Sequence, residues 1–259
     1  MKNLSAFFGE FIGTFIIVFF GCGSVASAIL FDSYGSLYEI AMVWFIGVSL
    51  AIYASNNFSG SHLNPAVSIA FVISGMFSIK KLPLYLIAQF LGAFCSAAFL
   101  YFIFSGFIAD YETAHQIVRG TQESIITASM FGEFFPNPGF AAKISSVSVF
   151  QAFVAECVGT FVLVYMIFWL TTKKNNSKFT PMLIGLTVAA LITLLAPISQ
   201  GGFNPARDFG PRLFSYFAGW GNVVFQKPDF SFFKVYIFGP ILGGAVASLI
   251  YKYQIKLKE

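Results

Sequence analysis

The sequence is poor in charge. Aspartate, glutamate, lysine and arginine make up only 10% of its 259 residues, whereas hydrophobic residues make up 57%, and the mean hydropathy is +0.78. Soluble domains carry about 25% charged residues, so this composition excludes the soluble class and indicates a membrane protein. The net charge of +4 comes from lysines that flank the apolar segments, and it gives no reason to expect binding to nucleic acid.

Cysteine is also scarce. The three cysteines, Cys22, Cys95 and Cys157, all fall inside apolar runs, where they are interpreted as small packing residues and not as a disulfide framework or a metal site. The sequence shows no nucleophile–base–acid set, no cluster of metal ligands and no phosphate-binding loop. We therefore expect a protein that is not an enzyme and that uses neither a cofactor nor a metal.

Long hydrophobic runs are abundant, and they predict an all-α membrane protein. Six runs are long enough to cross the ~30 Å hydrocarbon layer of a bilayer. They are Phe7–Leu30, Tyr38–Ser55, Leu82–Ile108, Val149–Thr171, Pro181–Leu195 and Phe232–Tyr251. The first run is too long for a cleavable signal peptide, so it is expected to be the first span.

Basic residues indicate the orientation, because Lys and Arg near the ends of spans stay on the cytoplasmic side. Nine of the fifteen basic residues lie on the side of the N-terminus: Lys2, Lys80, Lys81, Lys173, Lys174, Lys178, Lys252, Lys256 and Lys258. We expect a multi-pass protein of the plasma membrane with both termini in the cytoplasm.

The chain contains an internal duplication. The EFIGTF segment Glu10–Phe15 matches ECVGTF at Glu156–Phe161 at an offset of 146, and two Asn-Pro-Ala motifs match at an offset of 140. Leu91-Gly92-Ala93 and Leu242-Gly243-Gly244 match at 151. Each half holds three spans, an odd number, so the second half must enter the membrane from the opposite side. The sequence predicts one channel domain, 1–259, with repeat one at 1–108, a connecting loop at 109–148 and repeat two at 149–259.

The two Asn-Pro-Ala motifs, Asn64-Pro65-Ala66 and Asn204-Pro205-Ala206, interrupt the apolar sequence. Each precedes an apolar run too short to span, Val67–Phe77 or Phe209–Ala218. Asparagine suits a helix cap and proline suits the first helical turn. In an inverted repeat the two short helices would start from opposite sides and meet near the midplane. Irregular backbone at that depth is tolerated only where it lines a water-filled cavity, so the motifs predict a pore.

These motifs resemble those of the aquaporin family, and more closely its glycerol-facilitator branch. The resemblance rests on SGSHLNPAV, GGFNPARDFGPR, AGWGNVVF and HQIVRG. Asp208, Arg212 and the Pro240-Ile241 pair are similar to the polyol-conducting type. The resemblance implies six transmembrane helices, two re-entrant half-helices and a homotetramer in the lipid bilayer. It also implies a passive channel for glycerol and other small neutral polyols, with some water permeability, that excludes ions and protons.

The resemblance assigns pore roles to individual residues. Asn64 and Asn204 would cap the half-helices and donate hydrogen bonds to the permeant, and Arg207 would donate at the outer constriction beside the apolar wall of Trp44. Backbone carbonyls would form a ladder of acceptors from Gly60, Ser61, His62, Leu63, Gln200, Gly201, Gly202 and Phe203. Arg207 is expected to be the only permanent charge at the constriction.

Some of these residues have plainer interpretations. Trp44 could face lipid, as tryptophan often does near the membrane interface. Glu10 and Glu156 could relay protons, but we expect them to be buried structural acceptors for backbone N–H groups of the broken loops. The His62 ring is expected to have its hydrogen bonds satisfied within the protein. Asp208 is expected to brace the outer loop.

The predicted filter departs from the glycerol-branch pattern at two positions. Members of that branch commonly place Phe three residues before the second Asn and a small residue in the fifth span, whereas this sequence has Gly201 and Ile192. We expect the Ile192 side chain to fill the space that Phe would occupy at position 201. The predicted filter is therefore Trp44, Ile192, Gly201 and Arg207.

Two other functions stay open. A water-selective aquaporin shares the same motifs, although such members usually have His at the depth of Ile192. An ion-coupled secondary transporter also uses inverted repeats and broken helices, but it needs a titratable group in the path, where the sequence offers only Arg207 and His62.

Overall fold

The computed structural model describes residues 2–144, 146–172, 174–225 and 231–257. Within these residues the protein has helices and no strands, and six of the helices are long and apolar enough to cross a membrane. The predicted all-α class and six spans are thereby confirmed. Lys173 and Lys258, which were counted for the inner side, lie outside the described residues.

Nine α-helices follow one another in the described chain. They are α1 (Lys2–Phe31), α2 (Leu37–Ser59), α3 (Pro65–Ser74), α4 (Leu82–Ala114), α5 (Ile125–Ala128), α6 (Val149–Leu170), α7 (Thr180–Ser199), α8 (Pro205–Ser215) and α9 (Gly239–Lys256). Short 3₁₀ turns lie at Ile79–Lys81, Gln122–Ser124, Pro138–Phe140 and Gly221–Phe225, and π-helical turns at Tyr216–Trp220 and Phe233–Phe238. The last span starts with the second π-helical turn, since the span as a whole runs from Phe233 to Lys256.

The two short helices α3 and α8 contain 10 and 11 residues. At a rise of 1.5 Å per residue each is about 15 Å long, half of the hydrocarbon thickness. Pro65 and Pro205 occupy their first turns, as the motifs predict. Helix α3 ends at Ser74, before the predicted Phe77, because Gly75 adopts a left-handed φ of 83° and its N–H closes onto the preceding turn.

Glycines allow the long helices of each half to approach closely. Helix α1 packs against α2 and α4, and α6 packs against α7 and α9. A Cβ at Gly92 of α4 would overlap the carbonyl of Phe11, and a Cβ at Gly243 of α9 would overlap that of Cys157. The two glycines occupy matching places in the repeat, so the same close contact is built twice.

The two halves share their packing surfaces. Helix α2 packs against α7, α3 against α9, and α4 against α8. Each half-helix therefore lies mainly against a long helix of the other half, and its starting point is fixed by both halves of the chain.

The segment between the halves covers one end of the bundle. Helix α4 continues to Ala114, six residues beyond the predicted end of the span at Ile108. Phe131 and Phe134 of the connecting segment are buried, and Phe131 packs with Trp220 and Cys22. This apolar anchoring holds the connecting segment against the bundle, next to the start of α8.

Candidate pore

The starting points of α3 and α8 meet through their asparagines. The side-chain oxygens of Asn64 and Asn204 accept hydrogen bonds from the first free N–H groups of their own helices. The side-chain nitrogen of Asn64 donates to the Phe203 carbonyl at 2.9 Å, and that of Asn204 donates to the Leu63 carbonyl at 2.8 Å. An amide nitrogen carries two hydrogens, so each asparagine has a second N–H at this junction.

The loops that lead into the two asparagines have unusual backbone conformations. Leu63 and Phe203, which directly precede Asn64 and Asn204, have matching φ values of 52° and 49°. In the same loops, Gly60, Ser61, Gln200 and Gly201 also have left-handed φ values. A non-glycine residue in this region costs roughly 1–2 kcal/mol, so other contacts must hold the loops in place.

Two buried glutamates supply those contacts. Glu10 accepts hydrogen bonds from the N–H groups of His62 and Leu63 at 3.0 and 2.7 Å. Glu156 accepts from the equivalent Gly202 and Phe203 at 2.9 and 2.7 Å. Both carboxyl groups are fully buried. They hold the N–H groups of the strained loops on the side away from the passage.

Two cavities, of about 340 and 280 Å³, follow one another through the bundle and share two lining residues, Trp44 and Arg207. The 340 Å³ cavity is called here the inner cavity because its lining reaches Lys178, on the side predicted to be cytoplasmic. It is lined by seven of the eight predicted ladder residues: Gly60, Ser61, His62, Leu63, Gly201, Gly202 and Phe203. Gln200 instead lines the 280 Å³ outer cavity. The junction between the cavities lies at the predicted constriction.

Trp44 and Arg207 are in contact at this junction. The guanidinium carbon of Arg207 lies 4.4 Å from the centre of the Trp44 ring, a distance typical of a cation–π contact. The Trp44 side chain is only 6% exposed, so it does not face lipid. Gly21 of α1 makes room for it, because a Cβ at that position would overlap the indole ring.

The structure places the other two predicted filter residues on the two sides of the junction. Ile192 lines the outer cavity, and Gly201 lines the inner one. Ile192 belongs to the same buried apolar cluster as Trp44. A Cβ at Gly201 would first meet the ring of Phe203 and then the methyl group of Ala196, so the space beside Gly201 is bounded by these two side chains.

A carboxylate that the sequence analysis did not assign to the pore lies at the constriction. Glu133, from the connecting segment, forms an ion pair with Arg207 and lines the outer cavity. Arg207 is therefore not the only ionisable side chain at this point, because the carboxyl group of Glu133 lies against it. The path of a long loop cannot be predicted from its sequence. The position of Glu133 between Phe131 and Phe134 in the sequence nevertheless indicates burial.

Asp208 and Arg212 hold the connecting segment onto α8. The Glu133 N–H donates to Asp208 at 2.8 Å, and the Arg212 guanidinium donates to Asp208 at 2.7 and 3.0 Å. Arg212 also donates to the carbonyls of Glu133 and Val224. Both side chains of the Asp208–Arg212 ion pair are fully buried. Asp208 contacts the connecting segment, the loop that the sequence analysis expected it to brace.

The ring of His62 is enclosed by aromatic side chains. It packs against Phe71, Phe77 and Tyr85, with ring centres 4.6 to 5.0 Å apart. Its Nδ1 lies 3.2 Å from the Ser68 hydroxyl. The ring is thus packed and hydrogen-bonded, while His62 also contributes to the lining of the inner cavity.

Six membrane spans, two half-helices that meet at their starts and two cavities joined at Trp44 and Arg207 define a membrane channel of the aquaporin fold. The chain belongs to the major intrinsic protein family, whose family model matches residues 1–251. The predicted family is thereby confirmed.

Curated relatives and a solved structure agree with this assignment. The chain is 42% identical over 250 residues to the glycerol uptake facilitator protein of Pseudomonas aeruginosa, covering 95% of this chain and 87% of the relative. It is 40% identical over 251 residues to that of Haemophilus influenzae, covering 95% and 92%. The aquaglyceroporin structure from Plasmodium falciparum matches with a TM-score of 0.83 and 28% identity, over 98% of this chain and 97% of that one.

Proposed function

We propose that the protein is a passive channel for glycerol and other small neutral polyols, that it also passes some water, and that it excludes ions and protons. The observation that carries the proposal is the junction at Trp44 and Arg207, where an apolar ring and a cationic donor face one passage. Curated relatives named glycerol uptake facilitators support glycerol as the solute.

A polyol has an apolar carbon face and a polar hydroxyl face, and each needs a partner. Trp44 and Ile192 cover the carbon face, while Arg207 donates to hydroxyl oxygens. The ladder carbonyls accept from hydroxyl hydrogens as the solute moves inward. Because an unpaired buried hydroxyl costs about 1–3 kcal/mol, a polyol crosses readily only when each hydroxyl stays paired.

The meeting of two helix starts opposes cations. Each helix start carries about half a positive charge, and the second N–H groups of Asn64 and Asn204 add donors at the same point. Water at this junction must accept from both sides, so a continuous proton wire is interrupted. Ions and protons are excluded at the midplane, whereas neutral solutes pass.

Purified protein in lipid vesicles tests the proposal. Vesicles shrunk in glycerol should reswell quickly, and vesicles shrunk in sucrose should stay small. A water-selective pore would speed water flux without speeding glycerol entry. An ion-coupled transporter would respond to a proton or sodium gradient, whereas channel flux should be linear in the glycerol gradient and indifferent to both ions.

We also propose that the protein lies in the plasma membrane, the bacterial inner membrane, as a homotetramer with both termini in the cytoplasm. The lysines near the span ends support this orientation. Cysteine labelling near each terminus from the two sides of a sealed vesicle tests the orientation, and mass measurement in detergent tests the tetramer.

A further inference from the structure

Glu133 has an unusual position for a carboxylate. Its side chain is 1% exposed, and its contact with Arg207 places two carboxyl oxygens at the outer cavity. Among the described residues, neither oxygen has a hydrogen-bond donor in good geometry. Arg207 pairs with Oε1, but a buried acceptor whose hydrogen bonds are not all made is costly, so a passing solute can supply the missing donor.

The carboxylate is held in a fixed place. The Glu133 backbone is bound on both sides, because its N–H donates to Asp208 and its carbonyl accepts from Arg212. Asp208 and Arg212 lie on α8, which also carries Arg207. One rigid helix therefore positions both the acceptor and the donor that face the solute.

We propose that Glu133 is a specificity-determining residue of the pore, and that Glu133 and Arg207 together select solutes with two adjacent hydroxyl groups. This inference rests on the proposed function as a polyol channel. One hydroxyl of a 1,2-diol donates to the Glu133 carboxylate while its neighbour accepts from the Arg207 guanidinium. The carbon backbone then lies against Trp44.

The contact between the two charged groups sets the spacing of this recognition. Donor and acceptor are adjacent, so they match oxygens on neighbouring carbons. In a 1,3-diol the oxygens are separated by one more carbon, and pairing both at once requires the chain to fold back on itself, which costs conformational entropy. Charge-assisted hydrogen bonds are stronger than neutral ones, so losing one raises the barrier to entry.

The two propanediol isomers test this inference because they contain the same atoms. Burial raises the pKa of Glu133 to about 8, so vesicle uptake is measured at about pH 9, where the carboxylate is ionised. Relative to protein-free vesicles, the parent should favour 1,2-propanediol over 1,3-propanediol by roughly tenfold, a barrier difference of about 1.4 kcal/mol. Glu133→Gln should bring the ratio close to that of protein-free vesicles, with water flux retained.

Two variants serve as controls. Glu123→Gln makes the same chemical change in the same segment, at an exposed residue outside both cavities, and should leave the isomer ratio unchanged. Glu133→Asp keeps the negative charge and should keep part of the preference. A ratio unchanged in Glu133→Gln, or equal loss of both isomers and of water, would overturn the inference.

The parent protein provides a test that does not depend on folding of a variant. If the parent conducts glycerol but shows no preference between the propanediol isomers, the role of Glu133 is disproved while the polyol channel stands. If the parent conducts water and no glycerol, the proposed function itself is disproved.

Discussion

Asn204 donates its side-chain amide to the carbonyl of Leu63 at 2.8 Å, across 141 residues of sequence. The reciprocal bond from Asn64 to Phe203 closes the same junction from the other half. Each asparagine thus caps one half-helix and holds the loop of the other. The two side-chain amides are therefore held in place by both halves of the chain.

Replacing Asn204 with Asp should raise the leak of cations. The new carboxylate would face the Leu63 carbonyl in place of a donor, and it would offset the positive end of α8. At about 4 Å an opposite charge stabilises a cation by roughly 1–4 kcal/mol, depending on the local dielectric. Sodium and proton leak of vesicles at matched protein content measures the effect.

Asn222→Asp is the matched control, because Asn222 is exposed and lies outside both cavities. It should leave the leak at the parent value. If Asn204→Asp reaches the membrane and stays as tight to sodium and protons as the parent, the helix-end account of ion exclusion is incorrect.

Much of the fold could be predicted from the sequence because its signals are local or repeated. Hydrophobic length gives the six spans, and the Asn-Pro pairs give the half-helix starts at Pro65 and Pro205. Glu10 and Glu156 occupy matching positions in the repeat, which indicated equivalent buried acceptors. The structure places both against the broken loops. Each of these inferences needs only one continuous stretch of sequence or the comparison of two such stretches.

The composition of the constriction could not be predicted to the same degree. Glu133 lies 74 positions before its partner Arg207 in the sequence, and its place depends on the fold of an irregular segment that is held by Asp208 and Arg212. The left-handed φ of Phe203 likewise has no sequence signal, since phenylalanine rarely adopts it. Both features come from tertiary contacts.

Arg207→Val should destabilise the protein as well as loosen its discrimination among neutral solutes. Arg207 and Glu133 are 4% and 1% exposed, and at about pH 9, where Glu133 is ionised, removing one member of a buried ion pair costs about 3–5 kcal/mol. The double variant Arg207→Val with Glu133→Leu leaves no buried charge unpaired at this point, so it should recover much of that loss. Unfolding in detergent of the parent, both single variants and the double variant measures the coupling. Simple additivity would show that the two charges do not interact.

The preference between propanediol isomers should depend on pH. Burial is the largest cause of the raised pKa of Glu133, about 8; Arg207 and Arg212 oppose the increase, and Asp208 and Glu156 add to it. Cys22 and Tyr236 also lie within electrostatic reach. Below the raised pKa the carboxyl group is neutral, and above it the group is charged.

The ratio of 1,2- to 1,3-propanediol uptake should therefore rise as the pH increases from about 7 to about 9. Glu133→Gln has no group to ionise at this position, so its ratio should stay flat over the same range. An equal pH dependence in the parent and in Glu133→Gln would assign the effect to another residue.

Ile192→His should reduce glycerol flux much more than water flux. The imidazole would add a donor and remove part of the apolar wall that Ile192 contributes beside Trp44 and Arg207. If this adds about 1.4 kcal/mol to the barrier for a carbon backbone, glycerol flux falls about tenfold. Gly201→Phe should crowd the same space, but its effect has a second cause. Gly201 has a φ of 79°, which residues with side chains rarely adopt, and a Cβ there meets Phe203 first. Ile192→Gly should therefore restore only part of the lost flux. Paired measurements of water and glycerol flux test both changes, and equal loss of the two fluxes in Ile192→His would remove Ile192 from the filter.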